Sequence, residues 1–117
     1  MLTPKNSIEL IGVLESENLV VNLIQQLNKD FELANIDIQF NLELSTEKLF
    51  DHLNEVILSL LKYKYDDYLN LVYRIDVSEK ELAKVGQEKF EVIVHQLVFL
   101  ILKREYQKVW LRKNYKA

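Results

Sequence analysis

The chain has no cysteine, one proline (Pro4), two glycines (Gly12 and Gly86) and two histidines (His52 and His95). The lack of cysteine excludes a disulfide scaffold and any thiolate metal site. Pro4 lies in the leader, so only two glycines could interrupt a helix from inside. Such sparse punctuation favours long helices over many short strands, which need a turn every few residues. Long apolar runs are also missing. The most apolar stretch, residues 90–102, carries Glu91, His95 and Gln96, whereas a membrane-spanning helix needs roughly 18 or more apolar residues. The opening MLTPKNSIEL has an early acid and no apolar run, which predicts no signal peptide and a cytoplasmic location.

What is present can build a core. The 117 residues are 49% hydrophobic and 28% charged, in the range of one globular domain spanning residues 1–117. Asn6 or Ser7 can cap a short first helix carrying Ile8, Ile11 and Leu14. Ser16 or Asn18 can cap a second, with Leu19, Val20, Leu23, Ile24, Leu27 and Phe31 on one stripe. Its other face takes Asn22, Gln25, Gln26 and Lys29. Ser45 caps a third helix whose stripe, Leu49, Phe50, Leu53, Val56, Ile57, Leu60 and Leu61, is the cleanest in the chain. Asp66 or Asp67 can cap a fourth helix bearing Tyr68, Leu71, Val72 and Ile75. A last helix, from about Gln87 to about Lys113, is apolar nearly all round over Phe90 to Leu102, which predicts that it is central or shared between subunits.

One segment changes period. Ile36, Ile38, Phe40, Leu42 and Leu44 alternate with polar residues, the pattern of a half-buried strand. A strand needs a neighbour for its backbone hydrogen bonds, and no confident partner exists in the chain. Residues 36–44 are therefore expected to form an extended or strand-like arm that lies on the bundle or pairs with a second copy.

The most specific local signal is Val77-Ser78-Glu79-Lys80-Glu81-Leu82. Ser78 and Glu81 have the spacing of a capping box, with Val77 and Leu82 as its hydrophobic staple. A short helix should start at Ser78 and stop at Gly86, read as a left-handed C-cap.

Chemistry-bearing patterns are thin. His52 and Glu55, and Glu91 and His95, share helix faces, and Glu88 lies one turn from Glu91. Carboxylate-bridged metal bundles use Glu-x-x-His on two helices, and neither histidine has a glutamate three residues before it. No metal and no cofactor are expected. Ser7, Ser16, Ser45 and Ser78 read as caps, Ser59 sits inside a helix, and no Gly-rich phosphate loop is present. Catalysis is disfavoured, and no catalytic residue is assigned.

Charge is uneven. Lys103, Arg104, Lys108, Arg112, Lys113 and Lys116 against Glu105 give +5 at the C-terminal end, while the rest of the chain carries −8 and the whole −3. With Tyr106, Trp110 and Tyr115 interleaved, this basic surface could bind nucleic acid. The competing account is that cations favour a helix C-terminus and that an acidic protein repels phosphate over most of its surface. Arg74 and Asp76 stand between apolar residues just before the capping box. Either both are exposed, or Arg74 is semi-buried against Glu105 while Asp76 meets Arg104, locking the short helix to the long one.

YRIDVSEKEL (residues 73–82) and KREYQKVWLRKNY (residues 103–115) resemble a group of small uncharacterised bacterial all-helical proteins with a similar pairing of motifs. The two segments cover about a fifth of the chain. The resemblance implies a helical fold and a bacterial origin, and it implies no activity.

The expected architecture is thus all-α, a four- or five-helix bundle with one extended arm. The expected function is a non-catalytic interaction or assembly module that self-associates as a two-fold homodimer, without membrane association. Phe40 on the arm and Val98 on the last helix mark the two candidate interfaces. The alternative is a nucleic-acid-binding protein using the basic C-terminal helix.

Overall fold

A computed structural model describes residues 3–115. It contains α1 (Ser7–Ser16), α2 (Val20–Leu33), α3 (Thr46–Tyr63), α4 (Tyr65–Ile75), α5 (Glu79–Leu82) and α6 (Phe90–Asn114). The fold is all-helical, with no strand among the described residues. Five helices are ten residues or longer, and α5 is a single turn.

α6 packs against each of the other five helices. That position accounts for its apolar residues: Val94, Leu97, Val98, Ile101, Leu102, Tyr106 and Val109 are all buried. One continuous core joins them to Leu23, Leu27 and Phe31 of α2, Leu49, Leu53 and Ile57 of α3, and Leu71 and Ile75 of α4. No helix is long and apolar enough to cross a membrane among the described residues.

Residues 36–44 form an arm between α2 and α3 that is not a strand, and a turn falls at residues 42–43. The period-two pattern marks the inward side chains in part: Ile36 and Phe40 are buried and Ile38 and Leu44 half-buried, but Leu42 is exposed. At Phe40 a side chain takes the place of a ladder partner. Asn28 of α2 accepts from the Phe40 N–H at 2.7 Å and donates to the Phe40 carbonyl at 2.9 Å. Phe40 itself packs edge-on against Phe31 at 5.2 Å and His52 at 4.8 Å.

Three helices end in one device. Asn18, Asn35 and Asp76 have φ of 55°, 64° and 68°, the left-handed region. After each, a buried apolar residue donates its N–H to the carbonyl five residues back: Leu19 to Leu14, Ile36 to Phe31 and Val77 to Val72. This is the Schellman cap with its apolar contact, built on Asn and Asp in a chain poor in glycine. Asn18 therefore closes α1 instead of capping α2, whose N-cap is Leu19 with no side-chain hydrogen bond. Gly86 is not a left-handed cap, because neither glycine has positive φ and α5 already ends at Ala83. Asp66 and Asp67 lie in the first turn of α4 rather than at its cap, which is Lys64. Asn6 and Ser45 do cap α1 and α3, accepting from the Glu9 and Lys48 amides.

Candidate functional site

The most unusual chemistry lies between α2, α6 and the end of α4. Asp30 and Glu105 are both buried, at 3% and 0% exposure. Lys108 places its ammonium 2.6 Å from Asp30 Oδ2 and 3.1 Å from Glu105 Oε1, and donates to the Ile75 carbonyl at 3.2 Å. Gln26, also buried, donates to Asp30 Oδ2 at 3.2 Å and accepts from Arg112 through its other end. Burial, with the Asp30 carboxylate beside it, pushes the Glu105 carboxyl up to about 9 against the opposing pull of Lys108. The protonated form fits the geometry. As a carboxylate, Glu105 has only the charge contact with Lys108 and no donor directed at either oxygen. As an acid it can donate to Asp30, and one carboxylate and one ammonium then balance in the interior.

Arg74 is not part of this cluster. Its side chain is exposed and takes part in none of the ion pairs among the described residues, so the Arg74–Glu105 lock does not form. Lys108, one turn along α6, occupies the place beside Glu105 instead. Asp76 and Arg104 do meet: Arg104 donates to the Asp76 carboxylate at 3.2 Å and to its backbone carbonyl at 3.1 Å. Ser78 Oγ accepts from the Glu81 N–H at 3.3 Å. The Glu81 carboxylate does not close a capping box but takes Lys103 at 2.9 Å.

Much of the basic run is therefore engaged within the chain. Lys103, Arg104 and Lys108 hold Glu81, Asp76 and Asp30, while Arg112 and Lys113 are exposed and Lys116 lies outside the described residues. The two candidate interface residues are interior ones: Phe40 and Val98 are 1% and 2% exposed, because the arm folds onto α2 and α3 and the other helices wrap α6. His95 is exposed and His52 packs on Phe40. No group of three or more potential ligands converges on a metal position among the described residues.

Asp30 and Gln26 were absent from the sequence-derived site, yet a signal existed. Asp30 falls in the row of Leu23 and Leu27, and Glu105 in the row of Leu102 and Val109. An acid inside an apolar stripe calls for a buried partner.

Exposed apolar side chains line up along one side of α4. Tyr65, Leu69 and Tyr73, one turn apart on α4, are 54%, 44% and 83% exposed, although Tyr68, Leu71, Val72 and Ile75 of the same helix are buried.

No family model matches the chain, and neither a curated protein nor a solved structure is similar enough to count as a relative.

Proposed function

We propose that this is a non-catalytic interaction or assembly module, cytoplasmic and of bacterial origin, that acts by associating with its own copies. The Tyr65–Leu69–Tyr73 row carries the reading. It presents two tyrosines and a leucine to solvent on a helix whose other side already supplies the core, and tyrosine is enriched where proteins meet. The one strongly displaced carboxyl, Glu105, is sealed from any substrate by complete burial, which favours a structural role for the cluster. Sedimentation over a wide concentration range tests the reading. Mass rising above 13.9 kDa with concentration supports it, and a single 13.9 kDa species throughout rejects it.

A second reading has one observation in its favour. Lys29, Arg112 and Lys113 line a cleft of about 460 Å³ with Asn22, Gln25 and Gln26, and no acid lines it. Such a cleft suits phosphate groups of a nucleic acid. Retention on heparin at low salt, lost in Arg112→Ala/Lys113→Ala, would support that reading, and flow-through at low salt would reject it.

A further inference from the structure

We infer that α4 is the contact between two copies of this chain and that the two α4 helices cross antiparallel about a two-fold axis near Leu69 and Asn70. The inference rests on self-association and supplies its surface, orientation and register.

Two neighbouring rows run along the outer side of α4. Tyr65, Leu69 and Tyr73 form one, and Asp66, Asn70 and Arg74 form the other. Residues four apart stack one above another on a helix, so each row is a continuous ridge. All six side chains are exposed. None of the ion pairs among the described residues uses Asp66 or Arg74. The nearest like charge to Arg74 along the helix, Lys64, lies away from the ridges, in the groove shared with His52, Glu55 and Asp67.

The order of residues along these rows selects the partner. The apolar row reads Tyr, Leu, Tyr in either direction. The polar row has an acid at one end, an amide in the middle and a base at the other. In a two-fold contact the same patch faces itself, and residue i meets j while j meets i. Antiparallel pairing sets Leu69 against the partner's Leu69 and Tyr65 against the partner's Tyr73. It also sets Asp66 against the partner's Arg74 and the reverse, with Asn70 facing its own equivalent. Parallel pairing would set acid against acid and base against base, which is repulsive. Apolar continuity and charge complementarity thus agree on one arrangement, and ridges of i, i+4 spacing are those that interdigitate in the commonest class of helix packing. α4 has only 11 residues, so the contact belongs at the small end of the interface range, where association is weak and concentration-dependent.

Charge exchange tests both surface and direction. Asp66→Arg, Arg74→Asp and the double variant Asp66→Arg/Arg74→Asp are compared with the natural chain by sedimentation equilibrium, with circular dichroism to confirm that each keeps its helix. Both single variants should weaken the dimer by about tenfold or more, because the two-fold axis doubles each like-charge contact, and the double variant should recover to within about threefold. The double variant opposes the α4 dipole at both ends, so recovery cannot come from a better isolated helix. A second readout exploits the absence of cysteine. Leu69→Cys, on the axis, should oxidise to a linked dimer much faster than Asp51→Cys on the exposed side of α3. A natural chain that dimerises while all three charge variants dimerise equally well would overturn the α4 surface and leave self-association standing. Single variants that weaken the dimer without recovery in the double variant would overturn the antiparallel register. A natural chain that stays monomeric at every concentration would remove self-association and this contact with it.

Discussion

Lys108 of α6 touches two buried carboxyls, Asp30 of α2 at 2.6 Å and Glu105, one turn away on its own helix, at 3.1 Å. Burial, with the Asp30 carboxylate beside it, favours the protonated form of Glu105 in the folded state. The ordinary value for Glu105 is 4.5 and the folded value about 9, so the folded protein holds a proton that the unfolded chain releases. Stability from this group is fully present below about pH 4.5 and is lost as pH rises through about 9. Between pH 6 and 8 the natural chain should lose about 2–3 kcal/mol, at about 1.4 kcal/mol per pH unit for one proton. Glu105→Gln keeps a donor for Asp30 and cannot ionise, so its urea midpoint should be flat over that range. Parallel pH profiles for the two proteins would show that Glu105 is already ionised in the fold.

Asn28 holds the arm between α2 and α3 by both backbone groups of Phe40. Asn28→Ala leaves a part-buried N–H and C=O without partners and should cost about 2 kcal/mol. The Phe40 amide should lose its hydrogen-exchange protection earlier than amides of α3. Unchanged protection at Phe40 would mean that packing alone secures the arm. Phe40→Asp should unfold the protein rather than dissociate a dimer, because the ring is interior.

The left-handed caps give a prediction of opposite sign. Asn35→Gly removes the steric cost of a Cβ at positive φ and should raise stability by about 0.5–1 kcal/mol. Asn35→Val should lower it by about 1–2 kcal/mol. Denaturant midpoints would decide, and an Asn35→Gly protein less stable than the natural one would count against the Schellman geometry.

Ser78→Ala should cost about 1 kcal/mol, since it frees the Glu81 N–H at the start of α5. Arg74→Ala should change the stability of the monomer by less than about 0.5 kcal/mol, as an exposed side chain outside any ion pair of the described residues. A large loss for Arg74→Ala at concentrations where the protein is monomeric would contradict its exposure.

The helices were legible because their causes are local. Apolar spacing placed α2, α3 and α6, and Asn6, Ser45 and Ser78 cap through their own side chains within three residues. Helix ends were less legible, because Asn18, Asn35 and Asp76 each have two local uses, an N-cap or turn on one side and a left-handed C-cap on the other. Only the burial of the following Leu19, Ile36 or Val77 selects the second use. The alternation in residues 36–44 marked Ile36, Ile38, Phe40 and Leu44 as inward-facing, but not the turn that leaves Leu42 exposed. Whether that segment joins a ladder depended on what stands opposite it, and Asn28 stands there. The charged cluster was decided in the same way. Sequence fixed that Arg74, Asp76, Glu105 and Lys108 carry charge, but the direction each leaves its helix, and the arrival of α2 with Asp30, set the pairs. Hydrophobic period is written in consecutive residues, whereas a buried ion pair joins groups 78 positions apart, so it exists only once the helices have packed.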